Sequence, residues 1–274
     1  MRFFNDMSSV PQHHSLSGRR PAAVNGYFYP GDAGELAAVV EKLLMPPAQG
    51  RTPKAIIVPH AGYIYSGGVA ASGYSHLAGL DKRISRVVLL GPAHRVYVQG
   101  LAASSASEFV SPLDAIPVDN ESIDRLLELP QVRFNDDAHE YEHSLEVHLP
   151  FLQSLFSHFK LVPVLVGEAD PETVADALDL LWGGEETLIV ISTDLSHYHD
   201  YDTARSIDGE TARAIENLSS QIGPEQACGC RPLNGLLTLA RRKKLQIINY
   251  DLKNSGDTAG DRQRVVGYGA WGLY

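Results

Sequence analysis

The chain has 274 residues, 44% of them hydrophobic and 20% charged, with a formal net charge of -10. One α/β sheet with its flanking helices can fill that length without a second core, and the ordinary composition argues against extensive disorder away from the ends. The acidic balance argues against nucleic acid as a partner, and no stretch approaches the roughly 20 apolar residues of a membrane span, so a cytoplasmic protein away from membranes is expected.

Residues 1–18 are polar, include the adjacent His13 and His14, and follow neither structural period, which predicts a flexible arm ahead of a single domain over 19–274. A turn-rich stretch from Arg20 to Asp32 leads into apolar positions at helical spacing over 33–44, closed by Pro46 and Pro47. Beyond it, short β-branched runs alternate with helical patterns. Residues 55–58, 87–90, 161–166 and 187–191 are apolar on both faces, as strands covered on both sides by helices must be. Helices are predicted over 67–77, 120–129, 143–159, 171–181, 203–218 and 232–241. The fold class that follows is a layered α/β domain with a mainly parallel central sheet flanked by helices, with antiparallel additions over 101–103, 246–250 and 265–273. The basic run Arg241-Arg242-Lys243-Lys244 closes a predicted helix, where it complements the helix dipole as a solvated face.

In open α/β sheets ligands bind beyond the carboxyl ends of the strands. There the chain reads Pro59-His60-Ala61-Gly62-Tyr63 after one run, Gly91-Pro92-Ala93-His94-Arg95 after a second and Ser192-Thr193-Asp194-Leu195-Ser196-His197-Tyr198-His199 after another. One such histidine reads more naturally as a cap or hydrogen-bonding group. Imidazoles delivered by three strands to one end of a sheet offer neutral nitrogen donors at fixed separations, which a transition metal requires. Tyr63, Tyr65 and Tyr198 could add an aromatic wall, packing being the plainer reading.

In Glu142-His143-Ser144-Leu145-Glu146-Val147-His148 the spacing predicts His143 and Glu146 on one helical face, with His148 diverging. The two histidines are five apart, not the four of a zinc-protease HExxH helix. Two readings stay open: a capping box on Ser144, or a group that orients metal ligands or substrate. The only cysteines, Cys228 and Cys230, are one residue apart, a spacing that hinders a disulfide between them. Cys228 precedes a predicted helix, where the dipole favours thiolate, the form that binds metal; a small buried side chain is the plainer alternative.

Together these strings resemble the Memo family, including its bacterial and archaeal members labelled protein B of the AmmeMemoRadiSam system. The resemblance covers nearly the whole chain after the arm, through Arg20-Pro21-Ala22, Tyr29-Pro30, Pro59-His60-Ala61-Gly62-Tyr63, Tyr65-Ser66-Gly67, Gly91-Pro92-Ala93-His94, Glu142 to Pro150, Ser192 to His197, Cys228-Gly229 and Gly267-Tyr268. It implies a fold similar to class III extradiol dioxygenases, which open catechol rings with non-haem Fe(II). It implies His60, His94 and Cys228 as metal ligands, His197 as an acid/base group, and Asp194 and His143 in the same crevice. The dioxygenases place a carboxylate where this chain has Cys228. A thiolate with two imidazoles favours copper or zinc more than a two-histidine, one-carboxylate set does, iron remaining open.

The resulting expectation is an iron- or copper-dependent oxidoreductase in which His197, tuned by Asp194, moves a proton. The alternative is a binding or scaffold module holding an acidic or phosphotyrosine-type ligand in the histidine-lined cleft. The family label further implies AMMECR1-like and radical SAM proteins as partners. The substrate, whether small molecule or peptide, is not written in the sequence.

Overall fold

A computed structural model describes residues 18–44 and 51–274 of the chain. Apart from Gly18, the expected arm lies outside the described residues, as do Pro46 and Pro47. The first half runs β1 (Arg19–Arg20), α1 (Ala33–Leu43), β2 (Ala55–Val58), α2 (Tyr63–Tyr74), β3 (Arg86–Pro92), β4 (Leu101–Ala103), β5 (Glu108–Val110), β6 (Ala115–Pro117), α3 (Asn120–Leu127), β7 (Val132–Phe134) and α4 (Asp136–Glu140). It continues with α5 (Leu149–Leu155), β8 (Lys160–Val166), α6 (Pro171–Leu181), β9 (Thr187–Ser192), β10 (His197–His199), α7 (Tyr201–Glu216), α8 (Cys230–Lys243), β11 (Ile247–Asn254) and β12 (Val265–Leu273). Among the described residues no helix is long and apolar enough to cross a membrane.

The main sheet has the order β10-β12-β2-β9-β3-β8-β4-β7, with β11 also paired to β12. Its centre, β2-β9-β3-β8, is parallel. β12 and β4 flank that centre antiparallel, β11 pairs antiparallel with β12, and β7 returns parallel to β4. The expected mainly parallel sheet is therefore a parallel core with antiparallel margins. All four residues of β2 and all six of β9 are buried, which is why those runs carry no polar alternation. A small second sheet, β1-β5-β6, ties the start of the described chain to the domain.

Local chemistry fixes the helices. Asp32, Asp119, Asp170 and Asp200 cap α1, α3, α6 and α7, each side chain accepting an amide three residues on. The basic run ends α8, and there Arg242 pairs with Glu172 and Asp176 and Lys243 with Asp179, joining α8 to α6 at the surface. α2 starts at Tyr63, four residues before the expected 67, because the strand turns directly through Gly62 into the helix. The expected helix over 143–159 is interrupted. Residues 142–145 are non-helical, Glu146–His148 form a single 3-10 turn, and only Leu149–Leu155 is α-helical, with Pro150 in its first turn.

Asp208 of α7 reaches across to accept the Ser196 amide at 3.0 Å, pinning the segment that follows β9. Burial lifts its carboxyl to about 6, partly offset by the hydrogen bond from Ser196. A raised carboxyl adds stability below its unfolded value near 4 and loses it as pH rises toward 6. Asp208→Asn should therefore gain stability relative to wild type between pH 4 and pH 6 and stay level above, which thermal melts across that range would show. Parallel melting curves for the two proteins would refute this.

Candidate metal centre

β2, β9 and β3 are adjacent parallel strands, so the residues just past their ends meet at one edge of the sheet. His60 follows β2, His94 follows β3, and Asp194 and His197 follow β9. The ring centroids of His60 and His94 are 5.2 Å apart. His143 arrives on the segment after α4, its ring 5.4 Å from that of His60 and 4.9 Å from that of His94, against which it stacks. One donor atom from each of the three lies within 4.8 Å of the others.

The hydrogen bonds decide which nitrogens face inward. Ser192 Oγ donates to Ser144 O at 2.6 Å, so it can only accept from His60 Nδ1, also 2.6 Å away. His94 Nδ1 donates to Glu142 Oε1 at 2.9 Å. Both imidazoles thereby carry a proton on Nδ1. Burial, reinforced by the neighbouring imidazoles, keeps His60 well below its ordinary pKa. Burial lowers His143 to about 4 against the pull of Glu142, and burial lowers His197. His60, His143 and His197 are thus neutral imidazoles, and a neutral ring is the state a metal needs in a ligand.

Cys228 joins them from the segment before α8, its Sγ 3.3 Å from His60 Nε2. The donor atoms that lie within 4.8 Å of one another are those of His60, His94 and His143, and Cys228 is outside that group. Gly229 makes the approach possible, since a Cβ there would lie 2.5 Å from Ser192 O. Gly91 plays the same part on β3, where a Cβ would lie 2.8 Å from Ser144 Oγ. The helix start does not govern the thiol as expected. Burial and then the Asp194 carboxylate push it up. Cys230 lies elsewhere, buried in the first turn of α8 beside a separate cavity with Arg231 and Asn234.

The remaining expectations divide. Asp194 and His197 both line the histidine pocket, a cavity of about 1120 Å³. The Asp194 carboxylate, however, turns to His60, accepting its amide at 2.8 Å, and not to His197. Burial raises it to about 7 against the hydrogen bond from that amide. His143 points into the pocket while Glu146 turns the other way, fully buried and paired with Arg20, so the two do not share a helical face. No capping box forms on Ser144, whose hydroxyl donates to Pro92 O at 2.8 Å. Tyr65 and Tyr198 line the pocket, whereas Tyr63 is core, donating to Val147 O. Sequence reasoning missed Ser192 as the partner of His60, although it starts the quoted Ser192 to His197 string, and gave Glu142 no defined partner.

The family model described as Memo-like protein matches residues 20–271. The chain belongs to the Memo-like family. Within it, a MEMO1 family protein of Aquifex aeolicus is 37% identical over 262 residues, covering 91% of this chain and 97% of that protein. Another, from Ignicoccus hospitalis, is 35% identical and spans 92% and 97%. Among solved structures, an uncharacterized protein of Escherichia coli K12 superposes with a TM-score of 0.53 at 15% identity, covering 80% of this chain and 99% of that one, a likeness of fold. This Memo-like chain thus carries a three-histidine cluster compatible with metal binding at the carboxyl edge of its sheet.

Proposed function

We propose that this Memo-like chain is a mononuclear metal enzyme, an iron- or copper-dependent oxidoreductase acting on a small molecule in the histidine pocket. The observation that carries the metal is the gathering of His60, His94 and His143, one donor atom of each within 4.8 Å of the others, with the Nδ1 atoms of His60 and His94 held by Ser192 and Glu142. Cys228 and His143 are the further donors. When bound, the metal would supply Lewis acidity or one-electron chemistry.

The chain's own residues do the rest. His197, neutral and pocket-lining, is placed to take a proton from a substrate hydroxyl. Asp194 holds the backbone of His60, and Phe28 packs 4.7 Å from the His143 ring and closes that side of the site.

Elemental analysis of anaerobically purified protein tests the reading. Wild type should hold about one iron or copper per chain, and His60→Ala or His94→Ala should lose it. Comparing Cys228→Ser with His143→Ala then identifies the third ligand. Oxygen uptake with phenolic compounds, abolished by His60→Ala, would establish redox turnover. A wild type that takes up no metal even after reconstitution would defeat the reading and favour a binding module.

A further inference from the structure

β12 brings Tyr268 into the wall of the histidine pocket. The residue is buried, at 1% exposure, yet lines the same cavity as His60, His94 and His143. Its neighbour Gly267 donates its amide to Ser196 O and accepts the Leu195 amide, each at 2.8 Å. Those two bonds fix Tyr268 against the stretch that carries Asp194 and His197. β10 reaches the cavity through a bulge: His197 pairs with Val266 and His199 with Val265, and the register breaks between them at Tyr198. Tyr198 has a φ of 64°, a left-handed conformation that a bulky side chain adopts only when its surroundings impose it. Its ring lines the cavity with those of Phe28 and Tyr65, so much of the wall is aromatic.

A chain of donors ends at Tyr268. The Val266 amide donates to Ser255 Oγ at 3.1 Å, and the buried Ser255 in turn hydrogen-bonds the Tyr268 phenol. That bond acts to lower the phenol pKa, which is the effect of a hydrogen bond given to the phenol oxygen. Ser255 therefore accepts from Val266 and donates to Tyr268, and each bond polarises the next. Burial, followed by the Asp194 carboxylate and Tyr65, outweighs it and holds the phenol well above its ordinary pKa, so its own proton stays in place. Among the described residues that proton is given to no acceptor.

A buried hydroxyl whose oxygen is already engaged and whose proton is unspent is prepared to read an acceptor. We infer that Tyr268, held by Ser255, is the fixed hydrogen-bond donor of this cavity and gives its O–H to a carbonyl or hydroxyl oxygen of the small molecule bound there. This rests on the preceding reading of the cavity as a substrate pocket and deepens it by assigning the residue that selects the substrate's oxygen. A site built to serve one polar atom discriminates against the analogue that lacks it.

Acetophenone and isopropylbenzene have nearly one shape and differ in the acceptor oxygen, and their rings suit an aromatic wall. Both would be titrated into protein stripped of metal with a chelator, and the carbonyl stretch of bound, isotope-labelled acetophenone recorded. Wild type should prefer acetophenone by about tenfold, the net worth of one hydrogen bond. Tyr268→Phe keeps the ring. It should bind isopropylbenzene as wild type does, lose the preference and raise the carbonyl frequency. Ser255→Ala should move that frequency part of the way, since the donor remains but is no longer polarised. A purely structural role for Tyr268 would change both affinities alike and leave the frequency alone. Equal affinities in wild type, including no binding of either probe, or a Tyr268→Phe variant that keeps preference and frequency, would overturn the assignment. A carbonyl shift that depends on Tyr268 in a chain that never takes up metal would sink the metal reading alone. Metal uptake without such a shift would sink the donor alone.

Discussion

Glu146→Ala should destabilise the fold by about 3–5 kcal/mol, the cost of leaving one partner of a buried ion pair without the other. Glu146 is fully buried and pairs with the Arg20 guanidinium. It also accepts the amides of Ala23 and Val24 at 2.8 and 2.9 Å and the Tyr29 hydroxyl at 2.6 Å. Burial and this carboxylate together hold Tyr29 well above its ordinary pKa, so the phenol serves as a fixed donor. Removing the carboxylate strands a cation, two amides and a hydroxyl at once. Arg20→Ala should cost less, since three donors still serve Glu146. Replacing both by apolar residues of similar size should cost less than the sum of the single losses. Urea unfolding of the two single variants and the double variant measures this. A loss under about 1 kcal/mol for Glu146→Ala would show that the network is not a structural anchor.

The network also reaches the metal site. Arg20 donates through Nε to His139 O at 3.0 Å and through its other terminal nitrogen to Glu142 O. It thus clasps both ends of the segment that presents Glu142 and His143. None of this is periodic in sequence: Arg20 and Glu146 are 126 residues apart, and helical spacing put Glu146 beside His143. The tertiary pull of Arg20 outweighed the local pattern, turned Glu146 away from the pocket and broke the expected helix into a non-helical stretch, a 3-10 segment and the short α5.

Other parts were open to reading because one local rule sufficed. Ala55–Val58 is apolar throughout and Thr187–Ser192 is apolar at every position between its two hydroxyl-bearing ends, as suits strands covered on both faces. Once three such strands lie parallel, the residues after them must gather, so His60, His94, Asp194 and His197 were visible as pocket residues before any coordinates. What periodicity cannot show is the partner of each nitrogen. Ser192 orients His60 through a hydroxyl that depends on Ser144 O, and Ser144 is placed there by Gly91. The strain at Tyr198 and the register break that produces it are equally silent in sequence, since nothing in His197-Tyr198-His199 resembles a turn.

Glu142→Gln should lower metal affinity by about 10–100-fold while leaving the core intact, because Glu142 orients a ligand without itself binding the ion. The side chain is committed on both oxygens. Oε1 accepts His94 Nδ1 and the amides of His143 and Ser144, each at 2.9 Å, and Oε2 accepts the His94 amide at 2.5 Å. Burial alone would raise this carboxyl, but the hydrogen bonds that His94 donates help to hold it at about 2, so it is ionised wherever the protein is used. A glutamine oxygen can replace only one of the two acceptors. The amide NH₂ must then face either the His94 backbone N–H or the imidazole Nδ1–H, donor against donor. In the first case His94 shifts as a whole. In the second its ring rotates or changes tautomer, and Nε2 no longer points at His60. Chelator competition would measure the affinity, and nitrogen chemical shifts of the metal-free protein would report the His94 tautomer, which a purely structural role for Glu142 would leave alone. Unchanged affinity and an unchanged tautomer in Glu142→Gln would mean that the hydrogen bond to His94 does not set the donor geometry.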